Sequence, residues 1–67
     1  GIGAKIKARI IGDGDLKASQ VDTAVIAGHV VLSGVVDRRA KIDAIIGHAR
    51  AVDGVVTVKS YIQLKSP

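Results

Sequence analysis

The first segment of the chain alternates between apolar and basic residues with a helical period. Ile2, Ile6 and Ile10 recur at every fourth position, and lysine and arginine residues fall between them. This spacing places the three isoleucines on one face of an α-helix. Alternating glycine and aspartate residues follow, which favours a loop. We therefore expect the helix to end near Gly12 and Leu16 to fold back onto the core.

The hydrophobic pattern then changes to a period of two. From Val21 to Ile26 the residues alternate between two faces, which indicates a β-strand. Gly28-His29 is a Gly-X pair suited to a tight hairpin turn, and Val30–Val35 supplies the returning strand. We expect Gly34 to end or bulge that strand, because an interior glycine has no side chain to pack.

The helical period returns in the second half of the chain. An apolar stripe centred on Ile45 predicts a helix over Arg38–Val52, with Asp37 as its N-cap and Ile45 fully buried. Gly54 supplies a helix stop. Alternation over Val55–Leu64 then predicts a third strand.

The element order α-β-β-α-β predicts an α+β fold with a three-stranded mixed sheet. A strand, a helix and a strand in succession normally make a right-handed crossover, so the second and third strands should be parallel and both helices should cover one face. Val58, Ile62 and Leu64 are in phase and should point toward the helices. The opposite face is then bare and unusually apolar, and it contains Ala24, Ile26, Val31, Val35 and Tyr61.

Length and composition restrict the classes of function. We expect one domain over residues 1–67, with a core over about 4–65, that buries only about 60% of its unfolded surface. No cysteine and only two histidines are present, which disfavours disulfides and a transition-metal site. No apolar run approaches the ~20 residues that cross a bilayer. Because the chain has no methionine and begins with glycine, we expect it to be excised from a longer protein.

The charge balance favours an anionic partner. Ten lysine and arginine residues against six aspartates give a formal net charge of +4. Phospholipid, nucleic acid and acidic proteins are all compatible with this charge. The element order resembles that of KH-type nucleic-acid modules, but the chain has no G-x-x-G loop and only one tyrosine for base stacking. Nucleic acid is therefore the least favoured partner.

No group of polar residues forms a catalytic or ligand-binding motif. Asp13 and Asp15 fit an ordinary turn better than a calcium loop, because the sequence has no glutamate to complete an EF-hand. His29 and His48 have no orienting carboxylate or nucleophile nearby in the sequence. Gly12–Gly14 follows a helix, whereas phosphate-binding loops follow a strand. We predict a protein without enzymatic activity, cofactor or metal.

Two motifs, one in the middle of the chain and one in its last quarter, are similar to those of the BON family. Residues 28–36 read GHVVLSGVV and resemble the family's G-x-V-x-L-x-G-x-V hairpin, and residues 54–58 resemble its G-V-x-x-V entry into the last strand. The resemblance extends over about Ala4 to Lys65. Two residues depart from the family pattern: Ser60 stands where asparagine is frequent, and His48 where the helix is commonly aliphatic.

The resemblance implies an α-β-β-α-β domain of bacterial osmotic-shock, outer-membrane and secretin-associated proteins. Such domains are generally periplasmic or surface-exposed, often occur in tandem, contact phospholipid and supply no catalytic residue. We therefore expect a non-catalytic envelope module, periplasmic or outer-membrane associated, that binds anionic phospholipid. A signal peptide or the lipid anchor of a lipoprotein would lie outside this chain.

Basic residues on both helices are the predicted lipid contacts. The outer side of helix two has a stripe of small residues with basic edges, formed by Ala40, Ala44, Gly47 and Ala51. Such a stripe suits a membrane interface or a second helix, and it equally suits a plain solvent-facing surface. With the basic residues of helix one, the predicted lipid contacts are Lys5, Lys7, Arg9, Arg39, Lys41 and Arg50.

A docking role is the alternative to lipid binding. In this hypothesis the bare sheet face packs on a neighbouring domain, on a second BON-like domain or on another envelope protein. The predicted docking residues are Ile26, Val31 and Tyr61.

Overall fold

A computed structural model describes residues 1–16 and 20–65, and it confirms the predicted α+β class and the order α-β-β-α-β. Helix α1 spans Ile2–Gly12 and helix α2 spans Arg39–Arg50. The predicted boundaries differ from the observed ones by no more than two residues. The strands are β1 (Gln20–Ile26), β2 (His29–Val36) and β3 (Thr57–Leu64).

Strand β2 is the centre of the sheet. It pairs antiparallel with β1 and parallel with β3, as predicted. Val30, for example, lies between Val25 of β1 and Val58 of β3. Parallel neighbours require a crossover from one end of the sheet to the other, and α2 lies in that crossover. Both helices pack on the same face of the sheet.

The core between the helices and the sheet is entirely aliphatic. Ile6, Leu32 and Ile45 are completely buried, so the predicted inward faces of both helices are confirmed. Leu16 also folds back onto the core, and its amide donates to the Asp13 carbonyl at 2.9 Å. The complete buried cluster is Ile6, Ile10, Leu16, Val30, Leu32, Val36, Ile42, Ile45, Ala49, Val52 and Ile62.

The hairpin turn lies one residue earlier than predicted. Ile26 pairs with His29, so the two turn residues are Ala27 and Gly28, and His29 begins β2. Both turn residues have positive φ, 51° and 81° respectively. Two consecutive residues with positive φ form a type I′ turn, whose twist matches that of the flanking strands.

One predicted detail of the strands is wrong, and one inward-facing residue is less buried than the others on its face. Gly34 neither ends nor bulges β2, because it pairs in regular register with Val21 and Ile62 and the strand continues beyond it. Leu64 shares the inward face with Val58 but remains 44% exposed. It is the last residue of an edge strand, where less of the protein covers it.

The start of α2 also differs from the prediction. The helix begins at Arg39, so Arg38, with extended backbone angles and no capping side-chain bond, is the N-cap residue. Asp37 lies one position too early to cap the helix. Its carboxylate instead accepts a hydrogen bond from Lys41 Nζ at 2.9 Å.

Three segments meet at one end of the molecule. The Val56 amide donates to the Gly28 carbonyl at 2.7 Å, which joins the hairpin turn to the loop after α2. Gly54 in that loop lies against Ile2 at the start of α1. We call residues 2–5, 26–29 and 50–57 the hairpin end. Because β2 runs away from the turn and α2 returns toward it, the start of α2 lies at the opposite end.

Replacing Ile45 with alanine should lower the free energy of unfolding by about 2–5 kcal/mol, because the change removes buried methyl groups and leaves a cavity. A loss of this size would largely unfold so small a domain. Ile11→Ala is the matched control, since Ile11 is 70% exposed on α1; we expect a change within about 0.5 kcal/mol. Urea unfolding followed by far-UV circular dichroism measures both. Equal stability of the two variants would show that Ile45 does not face the core.

Candidate functional site

The basic side chains of α1 lie on two flanks of the helix. At about 100° per residue, Lys5 and Arg9 are neighbours, whereas Lys7 lies about 160° away around the helix axis. All three side chains are exposed. Lys5 and Arg9 line a groove whose other side is formed by residues 51–53, directly after α2. Lys7 is on the flank that also presents the exposed Ile11.

The basic side chains of α2 are also separated. Arg39 and Arg50 are exposed on one flank together with Asp43. Lys41 lies on the opposite flank, where it is half-buried and paired with Asp37. The stripe of small residues between these flanks faces outward, as predicted; Ala40, Gly47 and Ala51 are exposed, and Ala44 is half-buried.

The six predicted lipid contacts therefore do not form one patch. Lys5 and Arg50 belong to the hairpin end, Arg39 and Lys41 lie at the opposite end, and the remaining two lie along α1. A flat anionic surface can approach only a subset of them at one time. The separation around each helix follows from residue spacing alone, whereas the separation between the two ends of the molecule depends on how the helices pack on the sheet.

The sheet face opposite the helices is exposed, as predicted. The three predicted docking residues lie on it, with Ile26 78%, Val31 40% and Tyr61 58% exposed. The strand register arranges this face in rows of three. Beginning at the hairpin turn, the rows are Ile26-His29-Thr57, Ala24-Val31-Lys59 and Asp22-Ser33-Tyr61.

Polar residues interrupt this apolar face. Lys59 and Asp22 each occupy an outer position of a row, and His29 occupies a central one. His29 was expected in the hairpin turn; it begins β2 instead and is exposed, and its Nδ1 shares a hydrogen bond of 2.7 Å with Thr57 Oγ1 across the β2–β3 pair. The face is thus a mixed surface, and its most exposed apolar side chain, that of Ile26, lies beside the hairpin turn.

A contact between His48 and Asp13 was not predicted. His48 Nε2 donates to Asp13 Oδ2 at 2.8 Å, and both side chains are half-buried. Asp13 Oδ1 accepts from the Asp15 amide at 3.0 Å, so the predicted Asp-Gly turn is also present. The contact joins the loop after α1 to α2. The assignment of the second helix rested on the spacing of its aliphatic residues, and that spacing does not indicate a contact between His48 and Asp13.

The hydrogen bonds to Asp13 lower the pKa of its carboxyl group. The bond from His48, followed by that from the Asp15 amide, holds the pKa of the Asp13 carboxyl below its ordinary value of 3.8, because both bonds favour the carboxylate. Within residues 1–16 and 20–65, no three histidine or aspartate side chains are grouped to hold a metal ion. Neither α1 nor α2 is long and apolar enough to span a membrane.

The lowered pKa of Asp13 predicts a specific acid sensitivity. A carboxyl whose pKa is lower in the folded than in the unfolded chain stabilises the fold above its unfolded pKa, and that stabilisation is lost as pH falls through the folded value. Asp13→Asn should therefore flatten the decline of the melting temperature below about pH 4.

Thermal melts of the parent and of two variants between about pH 6 and pH 2.5 test this expectation. Asp43→Asn is the control, because Asp43 is exposed on α2 and has no ion-pair partner within the described ranges. If the melting temperatures of the unsubstituted chain and of Asp13→Asn fall in parallel as the pH is lowered, the contact with His48 does not stabilise the fold.

Comparisons with known proteins agree with the resemblance in the sequence. A family model described as the BON domain matches residues 1–66. Osmotically-inducible protein Y of Escherichia coli (strain K12) is 37% identical over 62 residues, which are 92% of this chain and 31% of that protein. An uncharacterized protein in the gshII 5' region of Anaplasma centrale is 33% identical over 64 residues, 96% of this chain and 42% of that protein. The chain thus spans less than half the length of these curated relatives.

Solved structures show the same fold at lower sequence identity. The C-terminal domain of CdsD, the structural protein of the type III secretion system of Chlamydia trachomatis, superimposes with a TM-score of 0.78 over 97% of this chain and 32% of that chain, at 18% identity. A second CdsD structure gives 0.78 over 96% of this chain and 30% of that chain, at 17% identity.

Proposed function

Because the chain belongs to the BON domain family, we propose that it is a non-catalytic module of the bacterial cell envelope that binds anionic phospholipid. The envelope assignment is supported by two of the similar proteins, one osmotically inducible and one a structural protein of a secretion system. Neither description is that of an enzyme. The periplasm or the periplasmic side of the outer membrane is the proposed location.

Phospholipid is supported as the ligand by the number of exposed cationic side chains that form no ion pair within the described residues. Within residues 1–16 and 20–65, the ion pairs shorter than 4.0 Å involve only Lys41 and His48 as cationic partners. Each free cation near an anionic membrane surface contributes about 1 kcal/mol to binding. The exposed cations without such a pair on the two helices are Lys5, Lys7, Arg9, Arg39 and Arg50.

The distribution of these cations sets the character of the proposed binding. Because these cations lie on different flanks and at different ends of the two helices, a flat bilayer contacts only some of them in any one orientation. The affinity should therefore be weak, and it should fall as salt rises, because exposed charges are screened beyond about 8 Å at physiological ionic strength. Lys41, whose charge is partly neutralised by Asp37, should contribute least.

The chain should co-sediment with anionic phospholipid vesicles and much less with zwitterionic ones, and added salt should release it. Substitution of the α1 cations (Lys5→Gln, Lys7→Gln and Arg9→Gln together) and of the exposed α2 cations (Arg39→Gln and Arg50→Gln together) should each reduce binding. The free cations contribute the attraction, and the aliphatic core is unchanged by these substitutions.

A pair of single substitutions provides a matched control. Lys41→Gln and Arg50→Gln both lower the net charge by one, but only Arg50 is free of an ion pair within the described residues. We expect Arg50→Gln to weaken binding more. Equal co-sedimentation of the parent with anionic and zwitterionic vesicles at low salt would refute the phospholipid proposal.

The open sheet face supports docking to a protein as a second candidate function. Val31, Val35 and Tyr61 are all at least 40% exposed on this face, and no segment of the described chain covers them. Single exposed apolar residues are common, but a group of them on one face is typical of an interaction surface. A neighbouring domain of the parent protein, a second BON-like domain or another envelope protein would then cover it.

Docking within the parent protein predicts a defined NMR signature. Amide chemical shifts of this chain in isolation and within the full-length parent should differ at Val31, Tyr61 and their row neighbours, because a covering domain changes the environment of the outer face. The amides of α2 should shift little, which serves as the internal control. If the amide chemical shifts of the outer face are identical in the isolated chain and in the full-length protein, docking onto another domain of the same protein is excluded.

A further inference from the structure

We propose that the hairpin end is the part of the molecule that enters the bilayer surface, with Ile26, Ala27 and Val56 in the interfacial region of an anionic membrane. This inference rests on the proposed phospholipid binding and adds to it an insertion site and an orientation.

The first observation is the concentration of exposed apolar side chains around the turn. Ile26 is 78% and Val56 is 66% exposed, and Ala27 is exposed between them. Ile26 lies on the open sheet face, whereas Val56 lies against Gly28 in the loop that enters β3. Two β-branched side chains thus flank the turn on either side. Their transfer out of water favours contact with an apolar phase.

The second observation is the identity of the first turn residue. Ala27 has a φ of 51°, the one positive φ of a non-glycine residue within residues 1–16 and 20–65. Asparagine, aspartate and glycine are the residues that this turn position favours. Alanine adopts this left-handed conformation without the local side-chain hydrogen bond that asparagine or aspartate could make. Departures from local preference of this kind concentrate at functional sites.

The third observation is the support beneath the turn. A side-chain carbon at Gly28 would lie 2.7 Å from the Gly54 carbonyl oxygen and 2.9 Å from Val56 Cγ2, so only glycine fits. The 2.7 Å bond from the Val56 amide to the Gly28 carbonyl fixes the two loops together. The apolar residues are therefore held in position before they meet a membrane, and binding requires little further ordering.

The charges around the hairpin end suit an anionic lipid. Lys5 and Arg50 belong to this end, Lys59 lies in the next row of the sheet, and Asp53 is its one carboxylate. The balance is therefore positive where the apolar residues are exposed. The opposite end of the molecule differs, because its cations are accompanied by three aspartates: Asp13, Asp15 and Asp37.

Single tryptophan substitutions test the orientation directly, since the chain contains no tryptophan. Ile26→Trp should show a blue-shifted emission on addition of anionic vesicles and should be quenched by brominated lipid tails. Ile11→Trp and Tyr61→Trp are matched controls, because both positions are exposed and lie outside the hairpin end; neither should be quenched.

Affinity gives an independent readout. Ile26→Ser and Val56→Ser should each weaken vesicle binding about tenfold, in line with the loss of one partly inserted aliphatic side chain. Far-UV circular dichroism checks that these exposed substitutions leave the fold intact. Ile11→Ser, with the same loss of apolar surface elsewhere, should bind like the parent.

Vesicle binding and tryptophan quenching together distinguish insertion of the hairpin end from phospholipid binding as such. If the parent binds anionic vesicles but Ile26→Trp is not quenched, the hairpin end does not insert, and phospholipid binding stands without it. Quenching at Ile11→Trp instead would assign the contact to α1. A blue shift of Ile26→Trp that appears with protein concentration alone would show that a second copy covers the turn. Absence of vesicle binding by the parent overturns both proposals.

Discussion

Coverage of one sheet face by two short helices is the constraint on which the rest of the structure depends. In the central strand β2, Val30, Leu32 and Val36 are buried toward the helices, whereas Val31 and Val35 are exposed on the other side. Helices of 11 and 12 residues supply enough aliphatic surface to bury one side of three strands and leave the other side in water. The open face follows directly from the size of the domain, since so short a chain has no third layer to place over it.

The elements were predictable because their hydrophobic periods are clear. Isoleucines four apart defined α1, and the stripe around Ile45 defined α2, so the buried faces of both helices followed from sequence alone. The two-residue period likewise assigned the faces of the strands. The hairpin turn was misplaced because Gly28 was taken as its first residue, whereas Ala27 occupies that position with a φ that alanine rarely adopts. No local signal marks an alanine for this role.

The sites were less predictable, because they depend on contacts between distant residues. His48 and Asp13 are 35 positions apart, and only the docking of α2 beside the end of α1 joins them. Aspartate favours the N-cap position of helices, but the Asp37 carboxylate instead forms an ion pair with Lys41, one helical turn later. The exposed group at the hairpin end combines Ile26 with Val56, 30 positions later. An apolar residue at a turn was the one clue to that group available in the sequence.

The contact between Gly28 and Gly54 has a consequence for how this domain can diverge. Any side chain at Gly28 would collide with the Gly54 carbonyl, and Gly54 has a φ of 94°, which residues with a side chain rarely adopt, so the shape of the two loops depends on positions that strongly favour glycine. The side chains that this shape presents at positions 26, 27 and 56 are exposed and make little contribution to the core. Mutation can therefore alter the surface that the loops present without altering how they are held. On a scaffold of this kind the chemistry of one exposed end can change through a few surface substitutions, while the thermodynamic stability remains nearly constant.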